Sequence, residues 1–331
     1  MKTRPFGTTG VEVSEVGLGT WQLGGTEWGS VSDQQALDTL RAAAEAGVTF
    51  IDTADIYGLG RSETLIGRFL KDRPDRERFF IATKLGRHPS PGWPENFTRK
   101  TIFQHTEDSI RRLGVEAVDL TQTHCIPLDV VQRGEVFEHL RELKRQGKIR
   151  AFGASVESME EALWCLNHVE GLASLQIIFN IFRQKPVNLL LGPARQKHVA
   201  VIVRLPLASG LLAGRLTADT TFAENDHRTY NRDGQRFNVG ETFAGLPFAK
   251  GIELADMLKP LVPGQATMAQ FALRWCLDFD AVTTVIPGAK RPEQARTNAG
   301  ASDLPPLEPE LHKQLRRFYD DEVAASIRGK Y

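Results

Sequence analysis

The feature that most constrains this chain is a regular alternation of short apolar runs with amphipathic segments. Short apolar runs rich in β-branched residues are typical of buried strands, and apolar residues spaced three or four apart are typical of helices. Because successive strands joined through a helix pair in parallel by a right-handed crossover, this rhythm predicts an α/β fold. The predicted strands are 13–21, 48–54, 78–84, 117–124, 148–155, 175–180, 199–206 and 281–287.

Helices are predicted between these strands, and several of them have recognisable ends. Ser32 and Thr98 stand where an N-cap is expected, and Gly47 and Gly114 stand where a glycine ends a helix. The predicted helices are 33–47, 62–70, 98–114, 130–147, 158–169, 187–198, 248–260, 267–279, 291–301 and, at the C-terminal end, 308–324.

Eight strand–helix units favour a closed (β/α)8 barrel, the TIM barrel, over an open doubly wound sheet. The open sheet is the alternative, but Gln22 stands where its dinucleotide-binding motif would need a third glycine after Gly17 and Gly19. The length of 331 residues fits one barrel domain spanning 1–331, with an N-terminal hairpin and a long segment, 207–247, after the seventh strand.

Composition excludes several classes of function. The chain has 41 Lys and Arg against 41 Asp and Glu, so no overall basic field attracts nucleic acid or anionic lipid. Its three cysteines are far apart, and no HExxH motif is present, so neither a disulfide framework nor a metal site is expected. No secretion signal is visible, and no apolar run reaches the roughly 18 residues of a membrane span, which predicts a cytoplasmic location.

Polar residues at the C-terminal ends of the strands are the candidates for a site, because these ends line the active site of such barrels. Asp52 ends the second strand and Tyr57 follows it, Lys84 ends the third strand, and His124 ends the fourth. Further polar residues at strand ends are Ser155, Gln176, Asn180 and Arg204.

The first four of these residues, Asp52, Tyr57, Lys84 and His124, form a chemically coherent set. A tyrosine hydroxyl has a pKa of about 10, and a neighbouring ammonium lowers it. The carboxylate of Asp52 would hold the ammonium of Lys84, and a neutral His124 would donate a hydrogen bond to a developing oxyanion. Singly, each residue is explained by capping, a salt bridge or packing. Together they predict a site that protonates a carbonyl oxygen while another group delivers hydride.

Several motifs, in order along the chain, resemble the aldo-keto reductase family. The resemblance runs from Phe6 to about Asn298, and it implies a (β/α)8 barrel with a nicotinamide cofactor, usually NADPH, bound without a Rossmann domain. The motifs are FIDTADIYG (50–58) with Ser62 and Glu63, IATK (81–84), VDLTQTH (118–124), GKIRAFGAS (147–155), PLASGLLAG (206–214) and IPG (286–288).

The resemblance also implies roles for individual residues. Tyr57 is the general acid, Lys84 lowers its pKa, Asp52 pairs with Lys84, and His124 orients the carbonyl group. Ser155 and Gln176 would hydrogen-bond the nicotinamide carboxamide. The other cofactor contacts expected on the strand ends and the loops that follow them are Thr20, Trp21, Arg204, Pro206, Leu207, Ser209, Leu211 and Gly288.

The chain departs from the family pattern at three places. Val156 follows Ser155 where an asparagine is common, and Arg204 stands where many members stack a tyrosine on the nicotinamide. A guanidinium plane also stacks on aromatic rings, and the alternative for Arg204 is a salt bridge at the barrel rim. In many members that use NADPH, a Lys-Ser pair follows the proline after strand 8, whereas Gly288 and Ala289 follow Pro287 in this chain. We expect the 2′-phosphate of adenosine to be held instead by Lys290, Arg291, Gln294 and Asn298, the alternative being an exposed basic turn.

The sequence therefore predicts an NADPH-dependent aldo-keto reductase that acts on an aldehyde or ketone. Two alternatives stay open: a regulatory NADPH-binding subunit of a channel with little turnover, and a barrel lyase that uses Lys84 as a Schiff-base amine. Trp21, Trp28 and Trp93 are candidates for an apolar substrate pocket. The sequence does not specify the carbonyl substrate, the direction of the reaction in the cell or the oligomeric state.

The long segment after the seventh strand emerges on the catalytic face. Its polar stretch, 224–238, is rich in turn-forming residues and is not expected to pack as core. Connections of this length are usually lids or disordered, so residues 215–245 are predicted to form a mobile cover over the cofactor or the substrate opening.

Overall fold

The computed structural model describes residues 1–25, 27–71, 73–264 and 266–331. Eight parallel strands, β3 to β10, lie side by side in the order of the sequence, and β1 and β2 form a separate antiparallel hairpin. The strands are β1 (Thr3–Pro5), β2 (Glu12–Ser14), β3 (Leu18–Gly19), β4 (Phe50–Asp52), β5 (Phe80–Leu85), β6 (Val118–His124), β7 (Ile149–Ser155), β8 (Ser174–Ile178), β9 (Ala200–Arg204) and β10 (Val282–Val285).

Hydrogen bonds between the first and last strands close the sheet into a barrel. The amide of Val285 donates to Glu15 O at 3.0 Å, and the amide of Gly17 donates back to Val285 O at 2.8 Å. One step further along, the amide of Gly19 donates to Pro287 O at 3.1 Å. The (β/α)8 prediction is confirmed, and the open-sheet alternative is wrong.

The helices pack around the barrel, and their predicted caps are present. Ser32 Oγ accepts from the amide of Gln35, and Thr98 Oγ1 accepts from the amide of Thr101. The helices are α1 (Trp21–Gly24), α2 (Asp33–Glu45), α3 (Arg61–Leu70), α4 (Arg99–Leu113), α5 (Leu128–Arg133), α6 (Glu135–Arg145), α7 (Met159–His168), α8 (Lys185–Leu189), α9 (Leu191–Gln196), α10 (His227–Tyr230), α11 (Phe248–Leu258), α12 (Met268–Leu277), α13 (Pro292–Ala299) and α14 (Pro309–Phe318).

Several predicted elements are divided in the structure. The strand predicted over 13–21 is shared between the hairpin strand β2 and the barrel strand β3, with the turn into α1 at its end. The helix predicted over 130–147 is two helices, because Gly134 has φ +78°, a left-handed conformation that ends α5. The helix predicted over 187–198 is likewise two, α8 and α9, and the last one ends at Phe318, before a π turn over 319–323.

The long segment 207–247 is largely folded onto the barrel. It contains α10 and three short 3-10 turns, and its stretch 224–238 carries Asp226, His227 and Asn231 as fully enclosed side chains. The expectation that this polar stretch stays out of the core therefore holds for most of it but not for these three residues. Asn231 is held by hydrogen bonds, since its Oδ1 accepts from the amides of Arg236 and Phe237 at 2.8 and 3.0 Å. Nε2 of His227, in contrast, has no partner within the described residues. That residues 215–245 form a mobile cover stays a prediction.

The N-terminal hairpin seals one end of the barrel. Phe6 is completely buried, and its ring lies 5.8 Å from that of Phe50 and 4.7 Å from that of Phe80, the first residues of β4 and β5. The amino-terminal ends of the strands are thus closed by an aromatic cluster, and the opposite, carboxyl-terminal ends remain for a site. Among the helices of the described residues, none combines the length and the apolar character needed to cross a membrane.

Replacing Phe6 with Ala should lower the free energy of unfolding by about 3–5 kcal/mol, because the cavity left under the barrel cannot collapse easily. Urea unfolding followed by tryptophan fluorescence measures this loss. Val11→Ala in the same hairpin is the matched control, since Val11 is 43% exposed and its truncation should change stability by less than about 0.5 kcal/mol. Equal effects of the two changes would show that Phe6 does not seal the barrel.

Candidate active site

Three of the four predicted residues reach the site because they occupy equivalent positions at the ends of adjacent parallel strands. Asp52 ends β4, Lys84 is the penultimate residue of β5, and His124 ends β6. Tyr57 comes from the turn after β4, which is fixed to the neighbouring strand by the amide of Asp55 donating to Lys84 O at 3.1 Å. The structure thus brings together all four residues that the sequence selected.

The ammonium of Lys84 is the centre of this group. It donates to Asp52 Oδ1 at 2.5 Å, to the carbonyl oxygen of Thr53 at 2.8 Å and to the hydroxyl of Tyr57 at 3.4 Å. Three acceptors match the three protons of an ammonium group. Burial works against the charge of Lys84, but Asp52 and Tyr57 raise its pKa above the ordinary value. Lys84 is therefore held as a cation, whereas a Schiff-base lysine has to be a neutral amine.

Tyr57 remains protonated at neutral pH. Its enclosure in the site raises the pKa of the hydroxyl above the ordinary value, and the positive charge of Lys84 acts in the opposite direction without reversing it. The sequence prediction that Lys84 lowers the pKa of Tyr57 holds for the contribution of Lys84, but the net direction is upward. A protonated tyrosine beside a fixed cation suits a proton donor, because the cation stabilises the phenolate that remains.

His124 faces Tyr57 as a neutral ring. The two rings lie 5.8 Å apart at 83°. Burial, together with the positive charges of Arg87, Lys84 and Arg204, keeps the pKa of His124 well below its usual range. Within the described residues, Nδ1 of this buried imidazole has no hydrogen-bond partner. A neutral imidazole carries one N–H and can therefore donate a single hydrogen bond from one of its two ring nitrogens.

Gln176 and Ser155 lie behind the ion pair. Gln176 Nε2 donates to Asp52 Oδ2 at 2.7 Å, and Ser155 Oγ donates to Gln176 Oε1 at 3.4 Å. Gln176 therefore fixes the second oxygen of the carboxylate, a contact that the sequence did not predict. Asn180 is already used in its own turn, where it donates to Leu205 O at 2.9 Å and accepts from the amide of Phe182 at 2.9 Å.

A cavity of about 1030 Å³ opens above these residues. Lys84 and Ser155 lie beneath its floor, Leu211 packs in the core, and Asn298 stands behind the wall with its side chain donating to Gly288 O at 3.4 Å. The other predicted residues line the cavity: Thr20, Trp21, Trp28, Asp52, Tyr57, Trp93, His124, Gln176, Arg204, Pro206, Leu207, Ser209, Gly288, Lys290, Arg291 and Gln294.

One wall of the cavity is aromatic. The ring of Trp21 is stacked on that of Tyr57, with centroids 6.0 Å apart and planes at 16°, and Trp28 meets Trp21 edge to face at 5.5 Å. His227 of the long segment packs on both tryptophans, at 4.8 and 4.3 Å. Trp93 stands at the mouth, where it is 52% exposed. His227 was missed because nothing in the local sequence shows where the long segment folds back.

Another part of the cavity wall carries a group of charged side chains, of which the sequence selected only Arg204. Arg204 Nη2 donates to Val156 O at 3.1 Å, and its Nη1 lies 3.5 Å from Glu241 Oε1, so the salt-bridge alternative for Arg204 is present in the structure. Arg87 donates to Glu157 at 2.9 Å and to Glu241 at 3.2 Å.

The same wall contains a potential set of metal ligands. Ligand atoms of Cys125, Glu157 and Glu241 lie within 4.8 Å of one another. The two carboxylates already accept hydrogen bonds from Arg87, and Cys125 Sγ lies 3.4 Å from Arg204 Nη2. We therefore describe this group as an ion-pair cluster.

A basic corner lies at the start of α13. Gln294 Oε1 accepts from the amides of Lys290 and Arg291 at 2.9 and 3.2 Å and so fixes the turn that carries both cations. Lys290 is half-buried, and burial, followed by the charge of Arg228, lowers its pKa. In the part of the chain that the structure describes, neither Lys290 nor Arg291 forms a salt bridge. An anionic group of a ligand would complete this corner.

Comparison with known proteins agrees with this geometry. The family model described as "Aldo/keto reductase family" matches residues 15–320. The chain belongs to the aldo/keto reductase family. It is 31% identical over 299 residues to the aldo-keto reductase YhdN of Bacillus subtilis, covering 89% of this chain and 86% of that protein. It is 32% identical over 320 residues to the NADH-specific methylglyoxal reductase of Escherichia coli, covering 92% and 94%.

Solved structures share the fold over nearly the whole chain. The glycerol dehydrogenase AKR11B4 of Gluconobacter oxydans is 30% identical, with a TM-score of 0.79 and coverage of 99% of this chain and 98% of that one. The holo form of the aldo-keto reductase AKR11C1 of Bacillus halodurans is 27% identical, with a TM-score of 0.77 and coverage of 96% of both chains. This chain is thus an aldo-keto reductase, an oxidoreductase that acts on carbonyl groups.

A double-mutant cycle should show strong coupling between Asp52 and Lys84. Lys84→Met or Asp52→Asn alone leaves one buried charge without its partner, which should lower the free energy of unfolding by about 3–5 kcal/mol, and the double variant should lose less than the sum. Urea unfolding of the four proteins measures the coupling.

The exposed pair of Arg41 and Asp38, whose side chains are 49% and 44% exposed, is the control and should couple by less than about 1 kcal/mol. Simple additivity at Asp52 and Lys84 would contradict the buried ion pair.

Proposed function

We propose that this aldo-keto reductase reduces an aldehyde or ketone with NADPH and that Tyr57 supplies the proton. The observation that carries the proposal is the position of the Lys84 ammonium, which contacts both Asp52 and the Tyr57 hydroxyl beneath the floor of a large cavity. A protonated hydroxyl, a fixed cation and a neutral imidazole in one place suit the reduction of a carbonyl group better than they suit a lyase or a hydrolase.

The residues present fit a nicotinamide cofactor. The cavity extends from Tyr57 and His124 to the basic corner formed by Lys290 and Arg291, so it offers space for a long ligand with an anionic end. When bound, the cofactor supplies hydride, which is one hydrogen with two electrons. Trp21, Gln176 and Gly288 line the same cavity and are proposed to contact it, with Ser155 supporting Gln176 from behind.

The side chains of the site complete the reaction. As the carbonyl carbon accepts hydride, the Tyr57 hydroxyl donates its proton to the oxygen, and the product is an alcohol. Lys84 stabilises the phenolate of Tyr57 until a proton from solvent restores the hydroxyl, and Asp52 keeps Lys84 in place. The N–H of His124 is proposed to hold the carbonyl oxygen during the transfer.

The basic corner formed by Lys290 and Arg291 is the reason for proposing that the enzyme prefers NADPH to NADH. Lys290 and Arg291 have no anionic partner in the described residues, and a 2′-phosphate would supply one. One relative, from Escherichia coli, is named as NADH-specific, so family membership alone does not decide the cofactor. This makes the corner the natural place to test cofactor choice.

The substrate is proposed to be a small carbonyl compound that lies against the aromatic wall. Trp21 is stacked on Tyr57, Trp28 and Trp93 supply further apolar surface in the same cavity, and another part of its wall is charged. Relatives named for methylglyoxal and for glycerol support a small, polar compound.

Tyr57→Phe should keep the affinity for NADPH and reduce the rate of carbonyl reduction by roughly 100-fold or more, because only the proton donor is removed. Fluorescence titration measures binding, and NADPH oxidation with a panel of aldehydes and ketones measures turnover. Tyr319→Phe, which removes a hydroxyl bonded to Tyr331 instead, is the control. A variant that reduces carbonyls at the wild-type rate would show that Tyr57 is not the donor. A wild-type chain that binds NADPH without turnover would instead favour a regulatory protein.

Lys290→Ala with Arg291→Ala should weaken NADPH at least about tenfold more than NADH, since each charge-assisted contact to a phosphate is worth about 1.5–3 kcal/mol. Dissociation constants for both cofactors measure the difference. Arg296→Ala in α13, the helix that follows these two residues, is the control, because Arg296 pairs with Glu45 away from the cavity. If both cofactors weaken equally, these residues do not contact the 2′-phosphate.

A further inference from the structure

Four charged side chains on one wall of the cavity have no part in the proton transfer. Arg87 follows β5, Glu157 follows β7, Arg204 ends β9, and Glu241 comes from the long segment 207–247. We call these four residues the arginine–glutamate cluster. Their side chains are at most 19% exposed, so the cluster lies mostly inside the protein although all four residues line the cavity.

Glu241 is the common partner of both arginines. Its Oε1 lies 3.2 Å from Arg87 Nη2 and 3.5 Å from Arg204 Nη1. Burial opposes the ionisation of Glu241, but the two guanidinium groups lower its pKa to about 2, so it is an anion. For Glu157, burial and the charge of Glu241 raise the pKa. The cluster therefore contains two arginines that share one anion, Glu241, while Glu157 pairs with Arg87 alone among the two arginines. Among the described residues, Arg204 thus has only a shared carboxylate, at 3.5 Å, to balance its charge.

The charge of this cluster reaches the reacting groups. Arg204 lies close to them, because its Nη2 is 3.4 Å from the sulfur of Cys125, the residue after His124. Burial has the largest effect on the pKa of His124, and the charges of Arg87 and Arg204 lower it further. Arg204 also acts on the carboxylate of Asp52. In an enclosed site the effective dielectric constant is far below that of water, and a single charge a few ångströms away changes equilibria considerably.

The nicotinamide ring is a cation when oxidised and neutral when reduced. Hydride and proton reach the two atoms of one carbonyl group, so the hydride donor must lie beside Tyr57 and His124 in any productive complex. There it is within reach of the charges that act on His124. A positive charge in this place disfavours the oxidised ring relative to the reduced one, and a negative charge does the reverse.

We propose that Arg204, with Glu241 as its partial counter-ion, sets the relative affinities of the reduced and oxidised cofactor, in favour of the reduced form. This inference rests on the proposed use of a nicotinamide cofactor. The consequence is that the oxidised cofactor is bound more weakly than it would be beside an uncharged residue, and so leaves the site more readily after carbonyl reduction.

Two variants with opposite charge changes test the proposal. Dissociation constants for NADPH and NADP⁺ are measured by titration, without substrate, for the wild-type protein, Arg204→Met and Glu241→Gln. Loss of the Arg204 charge should lower the ratio of the NADP⁺ constant to the NADPH constant roughly tenfold, and loss of the Glu241 charge should raise it. A substitution that merely loosened the cavity would weaken the binding of both cofactor forms equally and leave the ratio unchanged. Opposite shifts of the ratio in the two variants therefore distinguish an effect of charge from a structural one.

Lys290→Met is the matched control. NADPH and NADP⁺ both carry the 2′-phosphate, so this change should weaken both by the same factor and leave their ratio as in the wild type. If Arg204→Met does not fold, as judged by circular dichroism, a raised ratio in Glu241→Gln supports the proposal and an unchanged one overturns it. Unchanged ratios with intact binding overturn this inference alone. A wild-type protein that binds neither form overturns the proposed function as well.

Discussion

The buried ion pair between Asp52 and Lys84 is the interaction on which the site depends. Two opposite charges inside a barrel are tolerated only when each is fully hydrogen-bonded, and here the remaining groups are taken by Thr53, Gln176 and Tyr57. Each of these residues comes from a barrel strand or from the loop that follows one. The position of the ion pair therefore depends on the closure of the barrel. The fold and the chemistry are therefore linked through hydrogen bonds that serve both.

The residues that could be predicted from the sequence are those whose position follows from the strands. Asp52, Lys84 and His124 lie at the carboxyl-terminal ends of adjacent parallel strands, and parallel pairing brings such positions together whatever the conformation of the loops. Helix ends were equally accessible where a cap or a glycine marks them, as at Ser32 and Gly114. The break at Gly134 was missed because the apolar pattern continues through it.

The rest of the site depends on contacts between residues far apart in the chain. Arg87, Glu157 and Glu241 look like ordinary surface charges in the sequence, and they become a buried cluster only because the long segment returns to the barrel. The same return places His227 on Trp21. The direction in which the pKa of Tyr57 shifts could not be predicted from the sequence either. It results from two opposing effects, burial and the charge of Lys84, and only the structure shows that burial has the larger effect.

Two of the residues that the long segment contributes differ in kind from the proton-transfer residues. His227 shapes the aromatic wall and Glu241 balances the charged wall, while the proton donor and its supporting ion pair come from the barrel. One continuous stretch of chain therefore affects both the shape of the pocket and its charge. Exchanging that stretch would therefore change these two properties together and leave the proton-transfer residues in place, because those residues come from the barrel.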